Sequence, residues 1–377
     1  MSIFPPKGMR CNCSMLKLVV ILSFAITAAV FAQSPDTLYP VKVYVNDKLM
    51  YGYINREGEI VIQPKYYSAT DFSEGMAFVE IDKLSTLWAC INANDEIIFT
   101  LNADYFTGAF SEGFASINHN NKYYYVDRRG NNVFNKVFEN AKDFNNGLAV
   151  VRINTFNKSA VINKSGELVL DTIYRIISNF KIGYVKVYYA NNPGIVDTNF
   201  NITLLDTSYH FVNTASGNWD IVSSYVPVGI KGKVGYIDLK GRLKINPVFE
   251  FGNDFCEGLA SVRLGNKWGF IDSTWKFVIE PVFDNAGNFS MGLAPVSISN
   301  NNGSYNAFMN RSGVVVIQDT TIYKSKYDDF PRRNEMYWPQ PFKNGVCMYY
   351  SGLHWDVFER YVRSDGKFIW VKDLIDE

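Results

Sequence analysis

The sequence has little of what most metal and catalytic sites require. It contains 3 histidines in 377 residues, at His119, His210 and His354, and none has a partner at the spacing metal ligands need. Neither a phosphate-cradling glycine loop nor a nucleophile elbow occurs. Basic and acidic side chains balance at 37 each, which leaves no cationic footprint for nucleic acid. Helical periodicity is nowhere sustained. One long apolar run exists, from Leu18 to Val30, and it lies near the start.

That run follows Lys7, Arg10 and Lys17 and is followed by small residues at Val30 and Ala32. The pattern predicts a secretory signal peptide over 1–32. It is shorter than the roughly 20 apolar residues a membrane span needs. No cysteine follows it at a lipid-anchor position. Cys11 and Cys13 belong to the leader, and Cys90, Cys256 and Cys347 are too scattered and odd in number for a disulfide framework. The expectation is an exported chain (periplasm, cell surface or extracellular) beginning at Gln33, with no membrane span in the mature protein.

What is present is a repeat. Between Lys233 and Val296 two copies stand 34 residues apart. The first reads Val234-Gly235-Tyr236-Ile237-Asp238, then Leu243-Lys244-Ile245-Asn246-Pro247, then Phe255-Cys256-Glu257-Gly258-Leu259-Ala260. The second reads Trp268-Gly269-Phe270-Ile271-Asp272, then Phe277-Val278-Ile279-Glu280-Pro281, then Phe289-Ser290-Met291-Gly292-Leu293-Ala294. Such a period marks a repeat architecture. The word Phe-x-x-Gly recurs at Phe72, Phe110, Phe144, Phe180, Phe255, Phe289 and Phe342. Its spacing doubles between Gly183 and Gly258, which predicts a degenerate unit near Gly194-Ile195-Val196-Asp197. It lengthens again before Phe342.

A second word, Asp or Asn with glycine three residues later, appears at Asn55, Asp127, Asn163, Asp238 and Asn310. An Asx side chain caps its own turn and glycine supplies the positive φ of a tight hairpin. The flanking segments are β-branched and aromatic, as strands prefer. Pro64, Pro247 and Pro281 read as strand ends.

Each unit thus predicts strand, turn, strand, irregular crossing, Phe-x-x-Gly bend and third strand, with Gly265-Asn266-Lys267 leading to the next unit. One unit cannot bury its own face, so neighbours must stack. The expected fold is all-β, a tandem array of about eight or nine short three-stranded units. An open, solenoid-like stack is favoured because a four-stranded propeller blade usually takes roughly 40–45 residues; a closed β-propeller is the alternative. Within this reading 33–47 is an N-terminal lead-in or cap, 48–370 the repeat domain with a long insertion at 319–340, and 371–377 a polar tail.

Lys267-Trp268-Gly269-Phe270-Ile271-Asp272, with Phe289-Ser290-Met291-Gly292-Leu293-Ala294 downstream, resembles the WG repeat of bacterial exported and envelope-associated proteins. The likeness runs from about Lys48 to Ile369, with Tyr51-Gly52, Val234-Gly235 and Trp88-Ala89 as weaker copies. It implies architecture; the family has no shared reaction, catalytic residue or cofactor to transfer.

Chemistry is sparse. The third position of Phe-x-x-Gly varies from Glu74, Glu112 and Glu257 to Ile182 and Met291, so glutamate there reads as a solvated bend residue. The strand-end aspartates lack the alternating oxygens of a calcium loop. Ser364-Asp365-Gly366-Lys367 falls where a hairpin turn is expected. A pairing of Cys347 with His354 is conceivable, but nothing nearby marks it. No catalytic residue, cofactor or metal ligand is assigned. The insertion mixes aromatic and basic residues as recognition surfaces do, and Tyr337 and Trp338 are its candidate ligand contacts. The expected function is a non-enzymatic exported scaffold binding a protein partner or an envelope polymer. The alternative is a carbohydrate- or cell-wall-binding module.

Overall fold

The computed structural model describes residues 38–46, 48–106, 109–153, 159–170, 175–176, 178–212, 214, 219–300, 303–318, 322–323, 332–333, 342, 345–353 and 356–369. The expected signal peptide, the C-terminal tail, His354 and the candidate contacts Tyr337 and Trp338 lie outside the described residues. Of the insertion, Ile322–Tyr323 pairs with Arg332–Arg333.

Among the described residues six four-stranded and three three-stranded antiparallel sheets follow one another along the chain. They span 39–66, 68–102, 105–127, 140–170, 175–204, 210–249, 251–283, 285–318 and 346–369, and are numbered first to ninth in that order. Each is a meander of sequential neighbours. In the seventh, Phe251–Gly252, Leu259–Leu264, Lys267–Asp272 and Phe277–Phe283 lie side by side. The last strand alternates exposed and buried residues, as an outer edge should, while the middle strands are buried. The short first strand is therefore the inner edge of the sheet.

Nine apolar clusters hold these nine sheets together, each spanning one interface. Phe270 and Phe283 of the seventh sheet meet Phe289 and Val296 of the eighth. The ninth cluster joins Tyr39, Val41 and Val43 of the first sheet to Val346 and Tyr361 of the last. There, the Tyr361 hydroxyl donates to the Pro40 carbonyl oxygen at 2.6 Å. An open stack has one interface fewer than it has sheets; here every sheet has two neighbours. The chain is a closed β-propeller, not the open array expected from its repeat length. The blade fits into about 34 residues because its inner strand is only two residues long. That strand is the segment read as an irregular crossing, so the units have four strands rather than three. The stretch assigned to a lead-in contributes Tyr39–Val45, the strand that meets the end of the chain.

The period was legible but its phase was not. Gly265-Asn266-Lys267 joins two strands within the seventh sheet rather than two units. Besides the first sheet, the one without a Phe-x-x-Gly word is the sixth, where Ile221 replaces the phenylalanine in the core, whereas Gly194–Asp197 belongs to a regular strand of the fifth. Pro64, Pro247 and Pro281 do not end strands. They sit inside the outer strands Ile60–Tyr66, Leu243–Phe249 and Phe277–Phe283, at edge positions that need no ladder donor. The register shifts beside them bring backbone inward: a Cβ on Gly269 would lie 2.6 Å from the Ile279 carbonyl oxygen, and one on Gly235 2.5 Å from that of Ile245. The glycine of the repeat is needed for this approach.

Both turn words do what their residues predict. Asn55 Oδ1 accepts the amides of Glu57 and Glu59, and Asp238 Oδ1 those of Lys240 and Arg242. Ser364–Lys367 is such a hairpin turn too, closed by the Gly366 amide donating to the Arg363 carbonyl. In Phe-x-x-Gly the third and fourth residues both have positive φ, as Glu74 (51°) and Gly75 (78°) do, which is the pattern of a type I′ hairpin.

Candidate functional site

The Phe-x-x-Gly turns interlock around the ring. In several turns the phenylalanine packs on an aromatic residue of the preceding sheet: Phe72 on Tyr53 at 4.8 Å, Phe289 on Phe270 at 5.0 Å, Phe342 on Phe308 at 4.9 Å. The serine of the word donates to the next phenylalanine carbonyl, from Ser73 to Phe110 and from Ser111 to Phe144. The glutamate is a partly solvated bend residue that also bonds the next turn. Glu74 accepts the amides of Glu112 and Gly113, Glu112 that of Gly147, and Glu257 that of Gly292. These turns are structural.

The opposite ends of the sheets differ. At three junctions a lysine of one sheet meets an acid that precedes the next: Lys122 with Glu139 at 2.5 Å, Lys233 with Glu250 at 2.6 Å, Lys267 with Asp284 at 2.5 Å. Each acid stands five residues before a Phe-x-x-Gly phenylalanine. In the fifth sheet the residue five before Phe180 is Arg175, but it pairs with Tyr188 and so matches Asn140, Phe251 and Asn285 in register rather than the acids.

Here a cleft of about 520 Å3 opens, lined by the fourth and fifth sheets and by Trp219 of the sixth. Among the described residues its charged lining groups are Lys142, Arg152 and Arg175. Val150, Ile176 and Tyr188 supply apolar surface, with the Arg175 guanidinium 5.9 Å over the Tyr188 ring. Ligand clefts have this size and this mixture of apolar wall and few polar groups.

Behind the cleft lies a buried charged cluster on the inner segments of the fourth to seventh sheets. Asp143, Asn179, Asp220 and Asp254 share one repeat position, directly before Phe144, Phe180, Ile221 and Phe255. Lys186 has no exposed surface. Its ammonium is 5.4 Å over the Phe211 ring and lacks a hydrogen-bond partner. Burial pushes its pKa down, against the pull of Asp254 and Asp220. Burial likewise depresses Lys142, with Asp220 and Asp143 opposing, and pushes Asp143 up to about 6. The Asp254 carboxyl is raised by the same cause. Asp220 Oδ1 accepts the Asn179 amide at 2.7 Å. Lys142 belongs to both the cluster and the cleft.

Sequence reasoning missed these residues because it searched for motifs rather than for departures from the repeat. The departure was visible: Lys186 stands where other sheets place Phe78, Val150 or Ser261. Elsewhere the thiols of Cys90 and Cys256 are pushed up to about 12 by burial, which keeps them protonated. Cys347 is buried between the eighth and ninth sheets. Among the described residues no three His, Cys, Asp or Glu side chains converge as a metal site requires.

No curated protein matches the sequence. Among solved structures the chain is similar to a eukaryotic initiation factor, with a TM-score of 0.58, 12% identity and coverage of 88% of this chain and 95% of that one. That likeness is one of fold. Weaker similarities, with 73% of this chain covered in both, are to Kluyveromyces lactis Hsv2 (TM-score 0.35, 10% identity, 95% of that chain) and to Staphylococcus aureus virginiamycin B lyase (TM-score 0.31, 12% identity, 97% of that chain). The model of the WG containing repeat matches residues 51–84, 88–123, 125–155, 235–268 and 268–301. These five matches, with Trp268-Gly269 spanning the last two of them, show that the chain carries WG repeats.

Proposed function

We propose that this protein is a non-enzymatic, exported scaffold whose ring presents a binding surface to a protein partner of the cell envelope. The observation that carries the reading is the cleft at Lys142, Arg152, Arg175, Tyr188 and Trp219, a concave site on a rigidly interlocked ring. It combines aromatic and arginine side chains, the residue types that dominate recognition hot spots. Its cations are not arranged with a nucleophile and base, so the site suits binding rather than turnover. Export rests on the leader before Gln33.

The test is capture from envelope extract by immobilised 33–377, beside Arg175→Glu and the double variant Tyr337→Ala/Trp338→Ala. Retention of a defined protein at near-stoichiometric yield, lost in one of the variants, is the expected result. Retention of cell-wall polymer with no protein would replace the scaffold reading with a polysaccharide-binding one.

A further inference from the structure

The ring is interlocked as a whole, and the interlock is thinnest at one junction. Four kinds of link recur between neighbouring sheets. A turn glutamate accepts amides of the next turn at Glu74, Glu112 and Glu257. A turn serine donates to the next phenylalanine carbonyl from Ser73, Ser111 and Ser290. A tyrosine two residues before the hairpin that follows donates its hydroxyl to the next sheet, from Tyr53, Tyr125, Tyr236 and Tyr361. Aromatic rings also pair across, as Tyr188 and Phe211 do at 5.7 Å between the fifth and sixth sheets. Between the fourth and fifth sheets the corresponding positions hold Asn146, Asn145, Val161 and Phe180. Asn146 donates to Asn145 within its own turn, Val161 has no hydroxyl, and Phe180 packs among aliphatic side chains. Among the described residues no aromatic pair crosses this junction. Ser159 donates across it to the Ile176 carbonyl at 3.5 Å, beyond the usual O–H···O range.

We propose that this junction is the seam of the ring: its turn end parts and rejoins in the folded protein while the other junctions stay packed. Local opening occurs where few interactions hold neighbouring units together. The motion separates two sheets and leaves the strand ladders inside each of them intact. The cleft lies at the same junction, with Val150 and Ser159 on the fourth sheet and Ile176 and Tyr188 on the fifth. Parting of the turn ends therefore changes the spacing of its walls. A ligand that touches both sheets fits one spacing and shifts the seam toward it. The turn itself does not demand asparagine at 146. Glu74, Glu112 and Glu257 adopt the same backbone, at φ 51°, 54° and 52° against 53° for Asn146. The inference stands on the turns and does not depend on the scaffold reading.

The test is thiol labelling of the full chain under native conditions, read by peptide mass spectrometry. Val187 and Val296 occupy the same repeat position and have no exposed surface. Val187 faces the seam, and Val296 faces the junction of the seventh and eighth sheets. A thiol buried at either place reacts only when its junction opens. Labelling in Val187→Cys is expected to be roughly tenfold or more faster than in Val296→Cys. It should likewise outpace the native Cys90, buried between the second and third sheets. Adding Asn146→Glu, whose carboxylate would accept the Gly183 amide, should slow labelling in Val187→Cys about fivefold and leave Cys90 unchanged. Equal labelling in Val187→Cys and Val296→Cys would overturn the proposal. So would fast labelling in Val187→Cys that Asn146→Glu does not slow. Either failure leaves the scaffold reading to the capture experiment.

Discussion

At the scale of single residues, the repeat tolerates variation where side chains point outward and is strict where backbone approaches backbone. The third position of Phe-x-x-Gly is a left-handed residue in every described turn, at φ between 44° and 55°. Asn146 suits it, because Asn visits that region at little cost. Ile182 does not: a β-branched side chain there, at φ 44° and half exposed, is strained against its own carbonyl. Ile182→Asn is therefore expected to stabilise the fold by about 1 kcal/mol. Urea denaturation reads this directly, and an unchanged or lowered midpoint would mean that Ile182 gains more from packing than it loses in strain. Trp275 shows that such compensation can occur. It sits at φ 71° where other hairpins place glycine, with its ring 4.7 Å from Tyr225 and 5.8 Å from Phe255.

At the scale of elements, the link between neighbouring turns matters more than the turn itself. Glu74 reaches from the second sheet to two amides of the third, and Arg128 of the third sheet returns to the Glu74 carbonyl at 2.9 Å. Arg311 of the eighth sheet repeats the second contact, donating to the Glu257 carbonyl of the seventh at 2.6 Å. Glu74→Gln keeps the shape but removes the charge that strengthens the amide bonds. The expected cost is about 1 kcal/mol, below the full range for charged acceptors because the carboxylate is partly solvated. Thermal denaturation of Glu74→Gln beside Glu167→Gln separates this from a general loss of negative charge, since among the described residues Glu167 bonds within its own turn, to Asn163. Equal effects in the two variants would show that the inter-sheet bond adds nothing.

At the scale of the whole molecule, closure converts a series of sheets into one cooperative body. In an open array each unit meets only its neighbours and the ends can melt first. In the ring, the first and ninth sheets are fastened by the cluster of Tyr39, Val41, Val43, Val346 and Tyr361. Val41 is 1% exposed at its centre. Val41→Asp places an unpaired charge there and is expected to cost several kcal/mol, about 3 or more. The expected result is one transition at lower urea, coincident by tryptophan fluorescence and far-ultraviolet circular dichroism. An early separate transition confined to part of the signal would indicate that the two ends unfold independently of the ring.

The sequence by itself determined the β class, the period, the two turn words and the family likeness, because each of these is written in local chemistry. An Asx cap, a positive-φ glycine and an alternating strand act over a few residues and need no distant partner. The four-stranded blade was not legible, because a two-residue inner strand carries no periodicity and takes its form from the sheet beside it. Closure was not legible either, since it depends on Tyr39–Val45 meeting Val346 and Tyr361 from the far end of the chain. Tertiary structure alone also decided the site. Lys142, Arg152, Arg175, Tyr188 and Trp219 come from three successive sheets, and only the curvature of the ring places their side chains around one cleft.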